Sequence, residues 1–371
     1  MTESKKIYFQ HLDVIRFIAA FMVVILHSHE AWSIWFWKDG SPIEASVPFI
    51  DKLLKNLGFG VDIFFLISGF LITYILLEEK KRTNKINIFK FMMRRSLRIW
   101  PLYFLIIAIA PFLVSWLGKP SPEYWYNIFF INNFRTIETT WWVYPFPHFW
   151  SICIEEHFYL VWPFIVAFIP KKWLLNTCVF IIMGSIAFRV YAFYNAEHVW
   201  YTLYLHTLSR IDVIVIGAIG ALFYSKNPFE LKVSRSVRFV VLGLLILTLS
   251  LEPIGLWSTA FLAGFKKYIY IGLVAFLLLD FNFSSSFKHF LPNKSFIHYL
   301  GKVSYGIYMY SAILNLIIIK KIMLAYQLTS PYVFFLLAFS LSIIIPIISY
   351  ELIEKPFLKL TKYFRVIKTD R

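Results

Sequence analysis

Residues 57–77 read LGFGVDIFFLISGFLITYILL, an unbroken apolar run in which Asp62 is the single ionisable group. A helix needs about 20 apolar residues, at about 1.5 Å of rise each, to cross a hydrocarbon core of about 30 Å. This run meets that length. A surface helix of a soluble domain keeps a polar face, and none is present here. The stretch predicts a transmembrane helix.

The rest of the chain agrees. Of 371 residues 59% are hydrophobic and 16% charged, with a mean hydropathy of +0.66, against about 45–50% apolar and about 25% charged in soluble domains. Comparable runs lie near residues 13–34, 57–77, 99–117, 149–169, 174–193, 208–224, 237–252, 268–283, 303–319 and 332–352. They predict an all-α, polytopic transmembrane helix bundle of about ten spans. The longest connection, 118–148, is too short to form a soluble domain of its own, so one membrane-embedded domain is expected over 1–371. The first run follows Lys5 and Lys6 as a signal peptide would. It contains Arg16, lacks a small-residue cleavage site and precedes nine more runs, so it is expected to be retained.

A net charge of +16 raises the question of a nucleic-acid partner, and the distribution of that charge answers it. Eight Lys or Arg lie between Glu78 and Arg98, and six more between Lys355 and Arg371. With both termini cytoplasmic, most basic residues fall on the inner side, as the positive-inside rule requires. The expected location is the cell membrane, with the loop near Glu44 outside, the loop near Lys85 inside, and no nucleic acid bound. Cys153 and Cys178 both fall inside spans, as buried thiols without the ligands of a metal site.

Charge inside a span costs at least ~2.5 kcal/mol, so it marks either a functional cavity or a neutralising pair between helices. Arg16, His27, Asp62, Glu155, Glu156, Arg189, Arg210 and Asp212 are the groups in question. Rise per residue puts His27 about 20 Å from the inner end, Glu155 and Glu156 about 10 Å in from outside, Asp62 somewhat shallower, and Arg189, Arg210 and Asp212 in the same outer half. A polar chamber opening outward is expected. Asp13, Arg16 and His27 are separated by 3 and 11 positions and share one helix face. A single His on such a helix is ordinarily a packed side chain, so His27 gains weight only from its company. Ser151, Glu155 and Tyr159 recur every four residues and form a stripe that must face protein or water. Arg95 and Arg98, three apart at the expected start of the third helix, suit phosphate oxygens and equally suit anionic lipid headgroups. Trp125, Tyr126, Trp141, Trp142, Tyr144 and Trp150 fit an interfacial belt, and their density also suits stacking on sugar rings.

In order and spacing these segments resemble the membrane-bound acyltransferase 3 family. Arg16 and His27 match its Arg-x10-His signature, and Asp62 to Ile72 resembles its second-helix motif. Arg95-x-x-Arg98 with Pro101 and Tyr103 is similar to its basic motif, and Trp150-Ser151 with Glu155-Glu156-x-Phe158-Tyr159 to a later one. Arg210 with Gly217, and Glu354-Lys355-Pro356, complete the series. One departure stands out: Ser304-Tyr305-Gly306-Ile307-Tyr308-Met309-Tyr310-Ser311 ends in Ser where many members have His, so no catalytic role is carried onto Ser311. With the sequence ending soon after the tenth expected span, the hydrolase-like domain fused to some relatives is not expected here, and transfer by a single component or with a separate partner is implied.

The resemblance implies an integral membrane O-acyltransferase moving an acyl group, acetyl by frequency, from cytoplasmic acyl-CoA to a hydroxyl of an envelope polysaccharide or related glycan. No permanently bound cofactor is implied, and lipids are the remaining partner. His27 would be the general base, with Glu155, or else Asp62, beside its imidazolium. Arg95 and Arg98 would meet the CoA phosphates and Arg16 would hold the donor. Tyr103, Ser151, Tyr159 and Arg210 would complete the donor and substrate site. The rival reading is a transporter or flippase for a lipid-linked glycan, with the same charges lining a pathway. Against it, the sequence shows no repeated halves.

Overall fold

The computed structural model describes residues 9–36, 48–119, 121–143, 145–226, 228, 230–251, 258–284 and 295–366. Lys5, Lys6, the loop around Glu44, Tyr144, Lys368 and Arg371 lie outside them. Among the described residues the elements are helices, and the only β-type pairing is an isolated bridge between Leu231 and Ser284. In chain order they are α1 (Gln10–Phe36), α2 (Pro48–Asn56), α3 (Gly60–Thr83), α4 (Ile88–Trp116), α5 (Trp125–Ile128), α6 (Asn132–Thr139), α7 (Trp150–Phe168) and α8 (Lys171–Asn195). There follow α9 (Val199–Leu205), α10 (Thr207–Lys226), α11 (Arg235–Leu251), α12 (Ala260–Phe265), α13 (Lys267–Phe283), α14 (Phe296–Ile317), α15 (Pro331–Ser349) and α16 (Lys355–Leu360).

Nine helical stretches among the described residues are long and apolar enough to cross a membrane. The tenth expected span, 237–252, is helical as α11 over 17 described residues. The chain is therefore a multi-pass membrane protein built as an all-α bundle. Pro101 and Pro111 sit inside α4 and Pro163 inside α7, positions that a membrane helix tolerates when its neighbours cover the freed carbonyls.

The packing runs α15, α14, α1, α3, α10, α8 across the bundle, with α7 set against α3, α4 and α10. Apolar side chains gain little from leaving lipid for protein, so close backbone approach does much of the joining. The α3–α10 seam shows this directly. A Cβ on Gly69 would collide with the Ile214 carbonyl, and one on Gly217 would collide with the Leu66 carbonyl. The two glycines let α3 and α10 meet backbone to backbone. The α1–α14 seam is similarly tight where Gly301 rests on the backbone of Asp13.

The third helix differs from expectation. It begins at Ile88, where the Asn87 side chain accepts the Lys90 N–H, and so runs 11 residues ahead of the apolar stretch. Arg95 and Arg98 thus lie two and three turns inside α4 rather than at its start. Hydropathy locates the membrane, whereas capping locates the helix end, and here the two differ.

Candidate active site

At the end of the bundle where α1 and α4 begin, a cavity of about 420 Å³ is lined by Asp13, Arg16, Arg94, Arg95, Arg98, Lys302, Glu354 and Lys359, among others. A second, narrower cavity of about 80 Å³ shares Arg16, Leu71, Arg95, Arg98 and Tyr305 with it and continues to Ser68, Glu155, Tyr159, Ser151 and Tyr308. The guanidinium groups therefore stand at the junction of a wide basic mouth and a slim polar passage.

The cationic groups at that junction differ in how far they are already neutralised. Arg16 donates to Asp13 at 3.0 Å. Arg94 is held by Glu79 at 3.3 Å and by the Phe364 carbonyl at 2.6 Å, which ties α4 to the C-terminal segment. Among the described residues Arg95 and Arg98 have no carboxylate or hydrogen-bond partner. The Arg95 guanidinium lies 5.7 Å from the centres of the Phe91 and Tyr159 rings. Glu354 is buried at the same cavity, with Oε1 unpartnered. Of the three guanidinium groups that both cavities share, Arg16 is paired and Arg95 and Arg98 remain open to an anion.

The stripe on α7 faces the passage. Glu155 accepts from Ser68 and from Tyr159, each at 2.8 Å, and its neighbour Glu156 accepts from Trp100 at 3.3 Å. Farther along, the Tyr308 hydroxyl lies 2.7 Å from Ser151 Oγ and donates to the His148 carbonyl at 2.8 Å.

His27 stands just beyond these groups. Its ring centre is 5.4 Å from that of His148, and its Nδ1 is 2.9 Å from Ser311 Oγ on α14. Ser28 adds a second tie between the same two helices, donating to Asn315 at 3.2 Å. His27 is half-buried, and its Nε2 has no protein partner among the described residues. His148 donates through Nε2 to the Met309 carbonyl at 3.1 Å. Burial first, and the adjacent His27 second, hold the His148 imidazole well below its ordinary range.

The groups expected to line one outward chamber fall into three separate sets. Asp62 pairs with Arg210 at 2.7 Å and also accepts from Tyr270 at 3.2 Å. The Arg210 guanidinium carbon is 5.4 Å from the Tyr204 ring centre and 5.7 Å from that of Trp150. Asp212 receives Arg189 at 2.8 Å, Lys267 at 2.6 Å and the Tyr268 hydroxyl. Glu155 belongs to the passage. The structure therefore brings neither Glu155 nor Asp62 to His27, whose partner is Ser311. Depth along a helix fixes the level of a group but not which neighbour its side chain meets. Lys267, which directly precedes the expected span 268–283, is buried in the Asp212 set. Tyr103 is buried between Phe130 and Phe149 and donates to the Asn127 carbonyl at 2.8 Å, away from both cavities.

Tyr305, Glu354 and Lys302 line the mouth without having been singled out as site residues. Tyr305, Tyr308 and Ser311 recur at three-residue steps on α14, and that spacing is the signal that could have placed them on one face.

Comparison with known proteins gives three findings. The chain is 25% identical over 390 residues to O-acetyltransferase OatA of Staphylococcus aureus (strain NCTC 8325 / PS 47), covering 95% of this chain and 57% of that protein. It is 26% identical over 394 residues to a Staphylococcus aureus (strain COL) protein provisionally named an O-acetyltransferase, covering 96% and 59%. The chain thus spans less than two thirds of the length of these curated relatives. No solved structure matches it. Residues 9–351 match the family profile described as an acyltransferase domain, Acyl_transf_3, and so the chain, with its bundle and the Arg16–His27 spacing on α1, belongs to the acyltransferase 3 family.

Proposed function

We propose that this chain is a membrane O-acyltransferase that takes a short acyl group, acetyl first, from acyl-CoA and transfers it to a hydroxyl of an envelope glycan. The observation that carries the reading is the continuity of the two cavities. A mouth with two open guanidinium groups narrows into a passage that reaches Ser151 and Tyr308, and Tyr308 packs on His148, the ring neighbour of His27. The mouth volume falls within the range of about 300–1,000 Å³ common for small-molecule sites.

In this reading the CoA phosphates meet Arg95 and Arg98 through charge-assisted bonds, and the thin pantetheine arm threads past Arg16, Glu155 and Tyr159. Arg16 and His27 are 11 residues apart on α1, about 16 Å of rise, a span suited to that arm. Glu155 offsets the Arg95 and Arg98 charge along the passage. The Asp62–Arg210 pair holds α3 to α10.

At the far end His27 Nε2 takes the proton of the acceptor hydroxyl as its oxygen bonds to the thioester carbonyl carbon. The C–S bond then breaks, and the departing thiolate receives that proton from the imidazolium to leave as CoA-SH. An alcohol is a poor nucleophile at neutral pH, and a positioned imidazole is worth roughly 10²–10⁴ in rate. The names of the relatives support acetyl. The transporter reading has less support. The Asp62 and Asp212 carboxylates are both paired with basic side chains inside the protein, so neither offers a moving solute an open carboxylate.

The test is to give the purified protein, reconstituted in sealed lipid vesicles, radiolabelled acetyl-CoA and envelope glycan stripped of its esters by mild alkali. The expected result is alkali-labile label on glycan with release of free CoA. Glycan moved across the membrane with neither CoA release nor label would favour the transporter.

A further inference from the structure

Ser311 occupies the position where the sequence departs from many relatives, and it is fully buried against His27. Its Oγ has two neighbours, the Tyr308 carbonyl and His27 Nδ1, each at 2.9 Å. A hydroxyl has one hydrogen to give, and a carbonyl oxygen has none. Two arrangements follow. In the first, Ser311 donates to Tyr308 and accepts from a protonated Nδ1, so two hydrogen bonds form and Nε2 is left as a bare lone pair. In the second, Ser311 donates to an unprotonated Nδ1. One bond then forms, and the Nε2–H is left without a protein partner. The first keeps one more hydrogen bond and leaves no N–H unpaired, the costlier kind of orphan.

We propose that Ser311 is a positioning residue that fixes His27 as the Nδ1–H tautomer and thereby aims the free Nε2 lone pair at the acceptor hydroxyl. This rests on the reading of His27 as the base. The helix seam supports it: the Ser28–Asn315 bond, made by the next residue of α1 and one turn farther along α14, holds the two helices in the register that keeps Nδ1 against Ser311. His148 cannot take over the task. Its Nε2–H is committed to the Met309 carbonyl, and its Nδ1 is buried and unpartnered. Ser311 is also neutral, so it orients the imidazole without adding the counter-charge that a carboxylate would supply.

The test combines nitrogen NMR of 15N-histidine-labelled full-length protein in nanodiscs with kinetics of Ser311→Ala. His27→Gln serves only to assign the His27 signals. The wild type is expected to show the proton on Nδ1 of His27, and Ser311→Ala to show a mixture of tautomers. With acetyl-CoA as donor and alkali-stripped glycan as acceptor, Ser311→Ala should lower kcat roughly 10- to 100-fold, part of the 10²–10⁴ that a general base contributes. The KM for acetyl-CoA should stay within about twofold. A wild-type spectrum with the proton on Nε2, or an unchanged kcat in Ser311→Ala, would overturn the proposal. Full transfer by His27→Ala would instead remove the reading beneath it.

Discussion

Arg210 Nη2 lies 2.7 Å from Asp62 Oδ1, and this buried pair joins α10 to α3 beside the seam made by Gly69 and Gly217. Both charges are nearly inaccessible, so removing one strands the other in a poorly solvating interior. Such a loss typically costs about 3–5 kcal/mol, whereas removing both together costs much less. Asp62→Ala and Arg210→Ala are each expected to lower the thermal midpoint in detergent sharply. The Asp62→Ala/Arg210→Ala double variant should fall less than the sum of the two. Strict additivity in a double-mutant cycle would show that the pair is not coupled.

Donor affinity should depend on the two open guanidinium groups. Each charge-assisted bond to phosphate is worth about 1.5–3 kcal/mol, so Arg95→Ala and Arg98→Ala should each weaken acetyl-CoA binding by roughly 10- to 100-fold. Lysine at either site should restore only part, since an ammonium cannot make the paired contacts of a guanidinium. Titration calorimetry on nanodisc-embedded protein measures this, and unchanged affinity in both alanine variants would return these residues to lipid contact.

The stripe on α7 gives a second donor-side prediction. Tyr159→Phe removes the 2.8 Å bond to Glu155 while keeping the ring beside Arg95. It should raise the KM for acetyl-CoA by a few fold through a loosened Glu155, worth about 1 kcal/mol, and leave folding intact. A steady-state comparison with Ser68→Ala, which removes the other bond to Glu155, should show a similar loss.

His148 sets an acid dependence of stability. Burial and the nearby His27 depress its protonation in the folded chain, whereas the unfolded chain titrates near the ordinary value of about 6.5. Below about pH 6.5 the unfolded state binds the proton first, so stability is full above that pH and declines as the pH falls toward the depressed folded value. His148→Gln keeps an N–H to offer to the Met309 carbonyl and has no proton to gain. Its thermal midpoint should fall less steeply between pH 7.5 and 5 than that of the wild type, and equal slopes would assign the effect to other groups.

What the sequence disclosed and what it withheld follow from the range of each signal. The periodic stripe Ser151, Glu155, Tyr159 was legible because helical spacing alone decides which residues share a face, and all three line one passage. The apolar runs were legible for a similar reason, since bilayer thickness sets their length. Asp62 and Arg210, 148 residues apart, were legible as costly groups but not as partners, because depth says nothing of rotation about the helix axis. Ser311 was visible only as a departure. That it meets His27 depends on how α1 and α14 pack, which no local pattern encodes. The early start of α4 was hidden by its charges, which lower hydropathy without ending the helix.

The central claim is that a single imidazole at the end of the passage deprotonates the acceptor, and His27→Ala in nanodiscs tests it most directly, with acetyl-CoA affinity and label transfer to alkali-stripped glycan measured on one preparation. The account predicts affinity within about twofold of wild type, since the phosphates are held at Arg95 and Arg98, together with transfer reduced by roughly 10²–10⁴. Transfer near the wild-type rate, with binding intact, would contradict it.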